Sequence, residues 1–339
     1  MATAVYLDWA GLPPEMVAMV MQALGIPDLL LLRAGAICSS WYAAFSAVRS
    51  VRFPITDAAP CLLYSARGGD NDTAGAATLY SPSNGAAFRV RLPDLPLRSR
   101  ALVGSAHGWL ATADEKSNLH LVNPLTGAQL ALPPESEDLD DPDDPVRYPA
   151  EKLRLFLYYK VVMSCCIVLL LHRPDGEMSF ACIGDSQWTQ ITDQTLKWVS
   201  GYRDTLYNKN DGLFYVLSFD DSMLTLDLSD PSSRVAKDIL PRAIPWNDPI
   251  KDTVLTPSGD LLQVWRLKEI KRSDTPFEVP MGAAHEVHDP HKVSRIREFF
   301  LYKVDIDKLD LVELKSIREH ALFLGIIQQC AFIQRNFQS

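Results

Sequence analysis

Positive charge is in short supply. The 339 residues hold 33 Lys and Arg against 42 Asp and Glu, a formal net charge of -9. Such a chain has no broad field to attract phosphates, so nucleic acid is not an expected partner. No dense Lys/Arg run marks a nuclear address either. Cysteine is sparse and unpatterned. The six, Cys38, Cys61, Cys165, Cys166, Cys182 and Cys330, form no CxxC pair. The N-terminus lacks a basic stretch followed by an apolar one, so no secretory signal is expected. Unpaired cysteines with apolar flanks are then expected to be buried thiols in a reducing compartment, cytoplasmic or nuclear.

Long hydrophobic runs are also lacking. The closest is LFLYYKVVMSCCIVLLL, residues 155–171, but a spanning helix needs about 20 mostly apolar residues. This run carries Lys160 and many β-branched side chains. Two buried strands joined near Ser164 account for it better, and no membrane is expected.

Catalytic signatures are missing as well. No G-x-S-x-G elbow, Walker A loop or G-x-G-x-x-G turn is present. Ser105 and His107 lie close together in GSAHGWL, but no acid is placed beside them. His285, His288 and His291 fall in HEVHDPH, which is not HExxH, and Pro290 breaks any helix there. The acids at 138–144 lack the alternation and central Gly of a calcium loop. The expectation is no enzyme, no metal and no cofactor. Trp109, Trp188, Trp198, Trp246 and Trp265 are expected in the core.

What is present divides into two parts. The first 50 residues read as helix. In GLPPEMVAMVMQAL, residues 11–24, the apolar Met16, Val17, Val20, Met21 and Leu24 form one stripe. Pro13 and Pro14 suit a first turn, where a missing N–H costs little. Glu15 complements the helix dipole, and Gly25 is a stop signal. A second helical stretch starts after Asp28 with LLLLRAGAICSSWYAAF. About 45 residues cannot easily bury that much apolar surface alone, so some of it either packs within the segment or faces another protein.

From residue 61 the pattern becomes short strands and turns, with 51–60 as a linker. LYSPSNGAAFRVRLP begins at Leu79 and LVNPLTGAQLALPP at Leu121, 42 residues later. Each is a strand, a turn ending at Gly85 or Gly127, and a second strand. Weaker copies follow at EMSFACIGDSQWTQI, at GLFYVLSFDDSMLTLDL with a turn at Asp220-Asp221-Ser222, and at GDLLQVWRL with REFFLYKVDIDKLDLVEL. A period of about 40–50 residues predicts a β-propeller with room for about six units. An irregular β-sandwich is the alternative. Residues 133–145 and 271–294 read as long polar loops, where binding specificity usually lies.

The N-terminal residues Leu12-Pro13-Pro14-Glu15, the stripe, and then Ile37, Cys38 and Trp41 resemble an F-box, with Ser39 and Ser40 where a basic residue is more usual. The rest, over most of residues 60–325, is similar to the KIB-type β-propeller that follows F-boxes in many plant proteins. The stretches that carry this are GSAHGWLATADEKSNLHLVNPLTGAQLALPP, VVMSCCIVLLLHRPDGEMSFACIGDSQWTQI and FFLYKVDIDKLDLVELKSIREHALFLG.

The resemblance implies a mainly β chain: a helical F-box (1–50) and a propeller (61–339). It implies docking on a Skp-type adaptor, and through it on a cullin–RING ligase, with the propeller receiving a protein target. Leu12, Pro13, Val17, Val20, Met21, Leu24, Leu29, Leu30, Ile37 and Trp41 would dock or support the dock. Not all of them can face the partner, since some must join the helices. The family usually continues past ALFLG, so IIQQCAFIQRNFQS suggests a shortened variant with an incomplete last blade, whose tail either packs as a helix or leaves a sheet edge open.

Overall fold

The computed structural model describes residues 12–13, 15–17, 19, 39, 41–44, 61–64, 76–82, 85–92, 96–106, 108–124, 127–134, 154, 157–164, 166–172, 176–191, 201–229, 235–241, 249–272, 292–317, 320–324 and 329–333. The fold is mainly β: a propeller of five blades, followed by a two-stranded sheet. The β-sandwich alternative is thereby set aside.

The first blade holds β1 (Leu62–Tyr64), β2 (Ala76–Ser81) and β3 (Ala86–Arg91). The second holds β4 (Ala101–Ala106), β5 (Trp109–Ala113), β6 (Leu119–Val122) and β7 (Gln129–Ala131). The third holds β8 (Tyr158–Met163), β9 (Ile167–His172), β10 (Glu177–Cys182) and β11 (Thr189–Gln190). The fourth holds β12 (Tyr202–Asn208), β13 (Leu213–Ser218), β14 (Met223–Asp227) and β15 (Val235–Leu240). The fifth holds β16 (Ile250–Leu255), β17 (Leu261–Arg272), β18 (Lys292–Asp305) and β19 (Asp310–Glu313), and the last sheet is β20 (His320–Leu324) with β21 (Gln329–Ile333). Within each sheet, neighbours in sequence pair antiparallel. The leading strands β4, β8, β12 and β16 lie side by side, and β21 continues the row against β16.

The 42-residue echo falls on β2–β3 and β6–β7, with Gly85 and Gly127 both at positive φ in the two turns (64° and 70°). Since β6 and β7 are third and fourth in their blade, β1–β3 correspond to a second, third and fourth strand. About six units were expected, and five blades plus a strand pair are found.

The membrane-like run resolves into β8 and β9, joined at Ser164. Its hydrophobicity follows from propeller packing. Val168 and Leu170 join the core between the second and third blades, while Leu169 and Leu171 join the core between the third and fourth. A strand buried on both faces must be apolar at every position, not at alternate ones. Phe214 and Val216 likewise face one core, and Tyr215 and Leu217 the next. Among the described residues, no helix is long and apolar enough to cross a membrane.

Three expectations need correction. Cys61 and Cys166 are exposed rather than buried, and neither is in a disulfide. Cys166 lies in the β8–β9 turn, where the Ser164 hydroxyl accepts hydrogen bonds from the Cys166 and Ile167 amides (3.4 and 3.0 Å). Its apolar neighbours belong to the flanking strands. The tail does not pack as a helix at 329–333, where β21 pairs with β20 from Leu324↔Gln329 to His320↔Ile333. The expected 271–294 loop is shorter at both ends, because β17 runs to Arg272 and β18 begins at Lys292.

Candidate protein-interaction site

The N-terminal motif begins a helix as its sequence predicts. The Pro13 carbonyl accepts hydrogen bonds from the Met16 and Val17 amides (3.0 and 3.1 Å), and residues 15–17 and 19 are helical. Met16 and Val17 read as parts of one helical stripe, of which Val17 but not Met16 was assigned to docking or support, and the structure divides the stripe. Val17 is fully buried, whereas Met16 and Met19, three residues apart and so on one helix face, are 54% and 68% exposed. Leu12 is half-buried and Pro13 exposed. In the second helical stretch Trp41 is half-buried, Ala44 is buried and Tyr42 is 62% exposed. Val20, Met21, Leu24, Leu29, Leu30 and Ile37 lie outside the described residues. Met16, Met19 and Tyr42 were not among the expected docking residues. Their place on apolar helices was visible, but spacing alone cannot say which side of an apolar helix faces out.

The propeller that would present a binding face is tied together by buried charge on its leading strands. Lys160 of β8 forms an ion pair with Asp204 of β12. Asp204 also accepts hydrogen bonds from the amides of Thr205 (2.9 Å) and of Thr253 in β16 (2.6 Å). One carboxylate thus joins three blades. Beside it, Arg266 grips Asp252 through two bonds, Nε at 2.6 Å and Nη2 at 2.8 Å. Burial pushes the Asp252 carboxyl above its ordinary value, with Arg266 opposing the shift and Asp204 adding to it. Lys251 pairs with Asp221 and lies 4.2 Å from the centroid of the Trp265 ring, which in turn packs on Tyr302 at 4.5 Å. Each of these acids has a basic partner, so the arrangement holds strands in register rather than offering a free acid or base.

Residues 79–338 match the KIB1-4 β-propeller family. The chain belongs to that family. It therefore carries a β-propeller interaction domain. No curated protein matches. Among solved structures, a YCF48 chain bound to a D1 peptide is similar at 10% identity and TM-score 0.32, with 51% of this chain covered and 48% of that one. The match thus spans about half of that chain. The Cps50 (Swd1) β-propeller domain of Myceliophteria thermophila is similar at 11% identity and TM-score 0.41, covering 72% of this chain and 67% of that one. Likenesses this slight carry no argument.

Two glycines let the blades of this KIB1-4 propeller approach one another. A Cβ on Gly104 of β4 would run into the Val161 carbonyl oxygen of β8. Gly176, in the β9–β10 turn at φ 70°, would place a Cβ 2.5 Å from the Tyr202 carbonyl oxygen, and its own carbonyl accepts the Tyr202 amide at 2.9 Å. Trp188 and Trp109 pack on the core between the second and third blades, and the Trp188 indole donates to the Pro133 carbonyl at 2.8 Å. Trp265 is half-buried, while Trp198 and Trp246 lie outside the described residues. So do His107, the three histidines of HEVHDPH and the acids at 138–144. Ser105 sits in β4 opposite Leu110. Among the described residues, no group of three His, Cys, Asp or Glu is placed to hold a metal.

Proposed function

We propose that this chain is the substrate-recognition subunit of a Skp–cullin–F-box type ubiquitin ligase. Its N-terminal helices dock on the adaptor and its propeller receives the target. The supporting observation is the helix that opens at Pro13, with Val17 buried behind it and Met16 and Met19 exposed in front. Exposed large apolar side chains on one helix face suit a partner's groove. The chain itself carries out no chemistry. It raises the concentration of a bound target near the ligase's transferring subunit, as any bivalent tether does.

Co-expression with a Skp-type adaptor, followed by size-exclusion chromatography, tests the reading. Co-elution is expected for the wild type and is lost in a Met16→Asp, Met19→Asp variant, which keeps its fold because both positions are exposed. Failure of the folded wild type to co-elute leaves a propeller interaction module with no ligase attached.

A further inference from the structure

Three of the chain's eight methionines, Met16, Met19 and Met21, fall within six residues of sequence. The structure describes five of the eight, and their surroundings differ. Met163, Met178 and Met223 are 4%, 1% and 0% exposed, each in a different core between blades. The Met223 sulfur also accepts a hydrogen bond from the Gln263 side-chain amide at 3.0 Å. Met16 and Met19 are the two that face out, 54% and 68% exposed on one face of the helix that opens at Pro13. Val17 beside them is fully buried.

A thioether is an apolar group that a hydroperoxide turns into a polar, chiral one. The reaction needs only access to the sulfur. A sealed sulfur reacts when the core around it opens, and that opening costs up to the free energy of global unfolding. Met16 and Met19 need no such opening.

We propose that Met16 and Met19 are a sulfoxidation site that controls the docking face, an inference that rests on the docking proposed above. The oxidant is hydrogen peroxide. Its O–O bond breaks, one oxygen bonds to the thioether sulfur, and the other leaves as water with both hydrogens. The sulfur gives up two electrons and the peroxide takes them up. Each sulfoxide puts a strong acceptor on a face that meets an apolar groove, so docking then buries a polar group with nothing to satisfy it. The fold is untouched, because Val17 and neither of these sulfurs is packed behind. A bound adaptor covers both sulfurs, so oxidation acts on the free chain and blocks its docking. A methionine sulfoxide reductase restores it.

In the test, the full chain is treated with hydrogen peroxide, quenched, and returned to dithiothreitol. The thiol reverses any sulfenic acid or disulfide formed at the exposed Cys61 and Cys166 and leaves the sulfoxides in place. Peptide mass spectrometry follows each methionine, and calorimetric titration measures affinity for a Skp-type adaptor. Met16 and Met19 are expected to oxidise at least about tenfold faster than Met163, Met178 and Met223. The oxidised chain, with its melting temperature unchanged, is expected to bind the adaptor at least about tenfold more weakly. A Met16→Leu, Met19→Leu variant binds as the wild type does, since the swap conserves volume and polarity, and no longer responds to peroxide. Equal oxidation rates at all five methionines, undiminished binding by the oxidised chain, or a response in the Leu variant as large as in the wild type overturns the proposal. Absence of adaptor binding before any oxidation overturns the ligase reading and the switch built on it. The order of oxidation is read without adaptor and decides the modification site by itself.

Discussion

The third and fifth blades are built from the same four-stranded unit, yet they differ in how many neighbours each face has. In β9, Val168, Leu169, Leu170 and Leu171 are all fully buried, shared alternately between two cores. In β18, Leu301 packs toward β20, while Phe299 two residues earlier on the same face is mostly exposed. The difference follows from what lies across each strand: β9 has packed neighbours on both faces, and a strand so placed is apolar at successive positions. The strand β9, between two complete neighbours, is buried on both faces, whereas among the described residues Phe299 of β18 is left mostly exposed.

The comparison can be broken most severely at the joint that seals the third, fourth and fifth blades. Asp204→Ala leaves Lys160 buried without its carboxylate and two amides without an acceptor. It is expected to cost about 3–5 kcal/mol in urea denaturation. Lys160→Met is milder, because Asp204 keeps both amide bonds; equal losses would show that the amides contribute nothing. Leu170→Ala, in the sealed core, is expected to cost about 2–5 kcal/mol. Gly104→Ala pushes β4 off β8 and costs about 3 kcal/mol, although it adds a single methyl group.

A smaller effect concerns pH. Asp252 is raised by burial in the folded protein, so the folded state holds this proton more tightly than the unfolded one. Its contribution to stability is therefore fullest below the ordinary value of 3.8 and is lost as pH rises from there through the folded value. In Asp252→Asn this part of the pH dependence disappears; an unchanged stability–pH curve for the variant would show that the carboxyl is not perturbed. The smallest effect is at the open face. Phe299→Ser is expected to change stability by less than about 0.5 kcal/mol, and a loss comparable to that of Leu170→Ala would mean that this face is covered in the isolated chain.

Much of the fold was legible because local rules wrote it. The β8–β9 pair around Ser164, the turn at Asp220-Asp221-Ser222 with Asp221 at φ 68°, and the repeat from Leu79 to Leu121 each follow from a strand run and a turn signal within a dozen residues. The candidate site was less legible. Lys160 looked like a charge that merely spoiled a membrane span, because its partner Asp204 is 44 residues away. Cys166 read as buried because its sequence neighbours are apolar, and Val17 and Met16 read as one stripe because helical spacing carries no inward or outward sense.

By itself the sequence determined many of the turns, the repeat and the helix start at Pro13, since these depend on backbone preference and on periodicity within one element. Only the tertiary structure decided which apolar residues are sealed and which face out, and which buried charges meet. Those outcomes depend on what lies across a strand pair or a blade interface, and contacts between residues well separated in the chain leave no mark on local spacing.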